Sequence, residues 1–218
     1  MDKKRLTFTI LALAAALTFW GSTALGLGTV TTLTGALSHV GLLTGVFLAL
    51  YGLADHLALR LPFAQRIGLP PRIHGTWVGS AQTNWQDPRT GVIPGPIPMM
   101  LTVKQSLTRV SCTIRTVEST SYSSCEQFDH KPSGDYELRY FYSNIPNLDV
   151  KERSPDHQGS TMLYVKQSPD LVLEGSYLTH RDTKGTLRFT LYTRKLLDSL
   201  PNGMGAHPVT EVTPSGKR

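Results

Sequence analysis

The sequence predicts an all-β protein, an eight-stranded up-and-down antiparallel β-barrel preceded by an N-terminal two-helix transmembrane hairpin. Three observations predict it. No Asp, Glu, Lys or Arg occurs between Arg5 and Asp55; apolar residues recur with a period of two from Ile73 onward; and turn-forming clusters separate eight such stretches with no helix-period segment between them. The 218 residues carry a net charge of +6 but only 17% charged side chains. The mean hydropathy of -0.13 therefore averages an apolar N-terminal portion with an ordinary polar remainder. Composition excludes a collagen, a coiled coil, a disulfide scaffold and a wholly disordered chain.

A transmembrane helix needs about 20 apolar residues, and the charge-free window from Leu6 to Ala54 is more than twice that long. It accommodates two spans, Leu6 to about Leu25 and about Ala36 to Leu57, broken at Gly26-Leu27-Gly28-Thr29. Lys3, Lys4 and Arg5 precede the first span and Arg60, Arg66 and Arg72 follow the second, so the positive-inside rule puts both ends, and the barrel, in the cytoplasm. A cleaved signal peptide is the competing reading of the first span; the second would then start outside and stop inside, which leaves the barrel cytoplasmic again. Gly41, Gly45 and Ala49 form a small-residue ridge suited to packing between the protein's own two helices. The expected organisation is a hairpin over 1–60, a Pro-rich connector over 61–72, the barrel over 73–195 and a disordered tail over 196–218.

Ile73, Gly75, Trp77 and Gly79 share one face of the first strand; Leu101, Val103 and Gln105 one face of the second; Val110, Cys112 and Ile114 one face of the third. Ser121, Ser123 and Cys125 follow, then Leu138, Tyr140 and Tyr142, then Thr161, Leu163 and Val165. The last two strands carry Leu173, Gly175, Tyr177, Thr179 and Arg181, and Gly185, Leu187, Phe189 and Leu191. Gln86 to Pro98, Lys131 to Gly134, Asn144 to Pro155, Ser168-Pro169-Asp170 and Asp182-Thr183-Lys184 supply turns. If strands three and four turn at Glu118-Ser119, Cys112 pairs with Cys125 and Ile114 with Ser123, all inward. Free thiols are expected in a cytoplasmic domain.

The inward set contains Gln105, Ser121, Ser123, Tyr140, Tyr142, Tyr177, Thr179 and Arg181, polar groups that are costly to bury unless hydrogen-bonded. Together they predict a wet cavity for a polar ligand: rings to stack on a base, hydroxyls and an amide to read its edge, and Arg181 as a fork for phosphate. A nucleotide fits this set better than a fatty acid. Trp77 is read as the plug of the barrel floor. No GxSxG, HExxH, P-loop or CxxC occurs, and the histidines are not at metal-ligand spacing. Neither an enzyme, a metal site nor a cofactor is expected.

The two N-terminal spans, the Pro-rich connector and the segments Gly75-Thr76-Trp77-Val78-Gly79, Val103-Lys104-Gln105, Ser119 to Ser123, Leu138 to Tyr142, His157-Gln158-Gly159 and Leu173 to Arg181 resemble a bacterial family. It is the two-transmembrane β-barrel effectors associated with CD-NTases, which act in cyclic-oligonucleotide-based antiphage signalling (CBASS). The resemblance runs from the first span to about Arg194. It implies a multi-pass sensor in the bacterial inner membrane, partnered by a functionally linked CD-NTase. A cyclic dinucleotide second messenger binds the barrel, homo-oligomers form in the lipid bilayer, and membrane disruption kills the infected cell; no DNA or RNA polymer is expected as a partner. The alternative is a membrane-tethered lipocalin-like carrier of a lipid or small apolar metabolite, which would need an apolar lumen. A purely structural membrane protein would need a dry one.

Overall fold

A computed structural model describes residues 3–24, 33–88, 90–167, 170–205 and 207–211. It divides into two compact units, Met1–Arg72 with Ser106–Thr108, and Ile73–Gln105 with Arg109–Arg218.

In the first unit α1 (Lys3–Ala24) packs against α2 (Leu33–Leu57); the Gly26-Leu27-Gly28-Thr29 break lies outside the described residues. Ile10, Ala14, Thr18 and Ser22 are buried, a stripe at spacing four along one helix face. The hydroxyls in that stripe turn back on their own helix, Thr18 Oγ1 donating to the Ala14 carbonyl at 2.7 Å and Ser22 Oγ to that of Phe19 at 2.9 Å. The same device serves α2, where Thr44 Oγ1 donates to the Val40 carbonyl at 2.8 Å and His39 Nδ1 lies 2.8 Å from that of Gly35. The Gly41/Gly45 ridge is not where the helices pack: a Cβ at either glycine would meet nothing within 4 Å. On α1 the buried stripe does carry small residues, Ala14 and Ser22. Among the described residues one helix, Leu33–Arg60, is long and apolar enough to cross a membrane, and Phe8–Ser22 is a shorter apolar helix. Beyond α2 the chain extends at Leu61, as the following Pro62 requires.

The second unit is a closed barrel of eight antiparallel strands in sequence order: β1 (Gly75–Thr83), β2 (Ile97–Gln105), β3 (Val110–Arg115), β4 (Ser119–His130), β5 (Tyr136–Pro146), β6 (His157–Lys166), β7 (Val172–Thr179) and β8 (Lys184–Thr193). The alternation in the sequence sets its walls. Trp77, Leu101, Leu138, Leu163, Leu173 and Phe189 are fully buried in the core, and Trp77 Nε1 donates to the Ile73 carbonyl at 2.9 Å, closing one end.

Three expectations need correction. The β3–β4 pairing runs Thr113↔Tyr122, Ile114↔Ser121 and Arg115↔Thr120, two residues from the expected register. Thr116 tightens the turn, its N–H donating to the Ser119 carbonyl at 2.9 Å and its Oγ1 accepting from the Glu118 and Ser119 N–H groups. A shift of two keeps the parity, so Ser121 stays on the inner wall. Cys125 does not: a bulge between Ser124 and Gln127 puts it at φ 54° and swings it out, so that Cys112 is buried, Cys125 is exposed, and both are free thiols. Arg181 follows β7 in the β7–β8 turn rather than lying within the strand.

From residue 196 the sequence has no periodicity, yet the described residues lie against the barrel. Leu197 N–H donates to Thr76 Oγ1 at 3.0 Å and Thr102 Oγ1 to the Leu197 carbonyl at 3.2 Å. His207 and Val209 are buried, the latter in the short helix α3 (Pro208–Glu211). Residues 212–218 lie outside the described residues.

Candidate ligand site at the barrel mouth

Opposite the Trp77 end, the ends of β1, β3, β5 and β7 and the starts of β2, β4, β6 and β8 surround a cavity of about 160 Å³. That is close to the volume that elsewhere accommodates a single aromatic ring. Its wall includes Ser121, Tyr142, Tyr177, Thr179 and Arg181, five of the eight residues singled out from the sequence.

Tyr142 and Tyr177 lie over glycines. Tyr142 pairs across the ladder with Gly159 and Tyr177 with Gly185. A Cβ at Gly159 would stand 2.5 Å from Tyr142 Oη, and one at Gly185 would stand 2.6 Å from Tyr177 Cε1. The missing side chains make room for both rings against the cavity wall. Burial pushes the Tyr142 phenol up, Tyr177 adding to the rise and Arg181 opposing it. Burial likewise raises Tyr177, with the Thr83 hydroxyl opposing. Both are neutral donors at neutral pH.

Arg181 is placed by its turn: Thr179 Oγ1 accepts the N–H groups of Arg181 and Thr183 at 3.2 and 3.3 Å and lies 2.6 Å from Thr183 Oγ1. The Arg181 Nη1 donates to the Pro155 carbonyl at 3.4 Å, while its Nε is buried without a hydrogen-bond partner. Desolvation lowers the guanidinium's pKa and Tyr142 opposes this, without removing the charge of an arginine. Ser121 Oγ donates to Asn144 Oδ1 at 2.8 Å. Beside them His157 Nδ1 lies 3.1 Å from the Pro155 carbonyl, and its ring stands edge-on to Tyr142 with centroids 6.5 Å apart.

The other three residues are placed elsewhere. Gln105 lies at the far end of β2, its Oε1 accepting from the N–H groups of Ile73 and His74 at 2.7 and 3.1 Å; it holds the entry to β1. Ser123 Oγ accepts from Cys112 N–H at 2.7 Å and donates to Glu126 at the bulge. Tyr140 is buried in the core beside Thr161 on the neighbouring strand; its hydroxyl and Thr161 Oγ1 lack a well-aligned partner. Burial raises its pKa well above the usual phenol value, with the Thr161 hydroxyl in opposition.

Asn144, Thr161, His157, Trp85, Glu118, Arg153 and His207 also line the cavity. Asn144 shares the parity of Tyr140 and Tyr142 and was accessible to the same reasoning. Glu118, Arg153 and His207 come from irregular segments that carry no periodic signal. Trp85 precedes the insertion at Asp87, whose carbonyl accepts from the N–H groups of Thr90 and Gly91 at 3.2 and 2.7 Å, so the insertion begins as a compact turn beside the mouth.

The family model "Cap15, cyclic dinucleotide receptor domain" matches residues 69–191, more than half of the chain and nearly all of the barrel. The chain belongs to the Cap15 family. No curated protein matches it. Membership of the Cap15 cyclic dinucleotide receptor domain family makes the barrel a ligand-binding module of a CBASS effector, the class whose resemblance the sequence already carries.

Proposed function

We propose that the mouth cavity is where this effector takes its cyclic dinucleotide, and that the bound messenger drives assembly in the bacterial inner membrane and loss of membrane integrity. One observation carries the reading: a buried, unpartnered Arg181 Nε beside two glycine-backed tyrosines, in the wall of a cavity in a cyclic dinucleotide receptor domain. A guanidinium suits a phosphodiester oxygen, and aromatic faces suit bases. Ser121 and Thr179 border the same space and present hydroxyls to a base or sugar. At about 160 Å³ the cavity admits one base; the remainder of a dinucleotide needs movement of the mouth segments. Both helices are the membrane anchor in this reading, with the barrel in the cytoplasm and the messenger supplied by a linked CD-NTase. The barrel's outer wall offers an apolar patch for assembly: Phe141 and Leu178, 61% and 53% exposed, flank Ser160 on three adjacent strands.

The test uses the full chain in lipid nanodiscs, titrated with cyclic UMP–AMP, cyclic di-UMP, cyclic GMP–AMP, cyclic di-AMP and cyclic di-GMP, with palmitate as an apolar control. Selective binding of one cyclic dinucleotide is expected, weakened about tenfold or more by Arg181→Ala. The same variant is expected to remove ligand-dependent growth arrest in cells at unchanged protein level. Binding of palmitate alone would favour the carrier reading and overturn this one.

A further inference from the structure

The mouth contains a second guanidinium that the reading above leaves unused. Arg153, in the loop between β5 and β6, is largely buried and pairs through Nη2 with Glu118 Oε1, itself 3.2 Å from His207 Nδ1. These residues come from three separate segments: the β3–β4 turn, the β5–β6 loop and the C-terminal stretch. The backbone positions two of them without help from the side chains. Asn147 N–H donates to the Glu118 carbonyl at 2.7 Å and Arg153 N–H to the Val150 carbonyl at 3.2 Å. Arg181 reaches that same loop through the Pro155 carbonyl, so two guanidiniums border one cavity from neighbouring positions.

Charge decides what this arrangement can hold. Among the described residues the cavity wall carries Glu118, Arg153 and Arg181 as ionic groups, with His157 and His207 beside them. Burial holds both histidines below their ordinary pKa, which keeps them neutral at pH 7. The wall is then net +1, and becomes +2 wherever Glu118 is neutralised or displaced. A cyclic dinucleotide carries two phosphodiesters, each a mono-anion. A carboxylate and a phosphodiester both engage a guanidinium through paired oxygens, so the two compete for one fork.

We infer that Arg153 is a second phosphate-binding residue of the mouth, and that Glu118 is an internal carboxylate which the ligand's second phosphodiester must displace from it. The inference rests on the reading of the cavity as the cyclic dinucleotide site. Displacing Glu118 also removes one contact of His207, which loosens the C-terminal segment at the wall and gives the cavity room that a ring-sized space lacks. Arg181, with an unpartnered Nε, takes the first phosphodiester at no such cost.

The same five cyclic dinucleotides, titrated into full-length protein in nanodiscs, test it. For whichever of them the parent binds best, Glu118→Gln is expected to tighten binding by about fivefold to tenfold, since the competitor is gone while the backbone bonds of residue 118 remain. Arg153→Ala is expected to weaken it by about tenfold, and the double variant to match Arg153→Ala alone. A merely structural ion pair predicts the opposite for Glu118→Gln, unchanged or weaker binding, and that result would overturn the inference. Should Glu118→Gln not fold, His207→Ala, at a position outside the strands, is expected to tighten binding by a smaller factor; no gain there would also overturn it. Parent protein that binds none of the five defeats the reading of the cavity itself, whereas binding by the parent without a gain in these variants defeats the second subsite alone.

Discussion

Replacing Gly159 with alanine is a sharp test of the mouth, because the consequences divide between a wall that cannot yield and a ring that can. The added Cβ would lie 2.5 Å from the Leu178 carbonyl oxygen, 2.5 Å from Tyr142 Oη and 2.6 Å from Tyr142 Cζ. Ordinary carbon–oxygen contacts are about 3.3–3.6 Å, so roughly 1 Å must be found on each side. Tyr142 can swing away, into the lumen. Leu178 belongs to the β6–β7 ladder, paired with Ser160, and its carbonyl can move only by straining that pairing. Overpacking of this kind costs about 1–3 kcal/mol, with about 1 kcal/mol more for a weakened ladder bond. The expected outcome is a fall of roughly 10 °C in the unfolding temperature, read by tryptophan fluorescence, together with loss of ligand binding as the ring fills the cavity. Gly95→Ala, where a Cβ meets nothing within 4 Å, is the matched control. A Tyr142→Ala background is expected to recover part of the loss and leave the Leu178 part. Melting of Gly159→Ala within about 2 °C of the parent would refute the argument.

Further outcomes follow from the same structure. Under native conditions one equivalent of iodoacetamide is expected to label Cys125, and Cys112 only after denaturation, because burial and then Glu126 push the Cys112 thiol up; mass spectrometry of both states checks the bulge. Burial lowers the pKa of His157 and His207, so unfolded chains take up protons that the folded protein refuses. The stability these histidines contribute is complete above about pH 6.5 and is lost as the pH falls below that value toward their folded pKa. Melting temperature is accordingly expected to drop between pH 7.5 and 5.5, and His157→Gln to flatten the drop; an unchanged slope counts against it. In α2, Leu48→Arg places a charge at an exposed site mid-helix, at a cost of about 2.5–3.5 kcal/mol for a spanning helix. Carbonate extraction is expected to leave the parent in the membrane pellet and to reduce that fraction for the variant. A parent that washes off argues against a span.

The barrel was legible because period-two alternation gives each strand two faces, and Trp77, Leu101, Leu163 and Phe189 fall on the inner one without exception. Parity is silent about height along the barrel axis, which is why Gln105 and Tyr140 read as ligand contacts. One secures the entry to β1 at the far end, and the other packs in the core. It is equally silent about shifts of two residues, so the β3–β4 pairing slipped to Ile114↔Ser121 while both residues kept their facing. The bulge that expels Cys125 involves a non-glycine residue at positive φ and left no mark in composition. Arg153, Glu118 and His207 meet through loops and a terminal segment, where neither period nor spacing operates; only three-dimensional placement brings them together.

Because β1 pairs with β8, the sheet has no edge. An open sheet offers unpaired N–H and C=O groups on which another chain can template itself, a route that runs easily into irreversible aggregates. Here a second copy cannot join as a ninth strand. In the assembly proposed above, barrels meet through side chains on their outer walls, such as the exposed Phe141 and Leu178, contacts that form and dissolve with the fit of two surfaces. Assembly of this kind can be reversed when its trigger is withdrawn, so for the ligand-driven assembly proposed above the topology of the sheet alone is a safeguard against irreversible association.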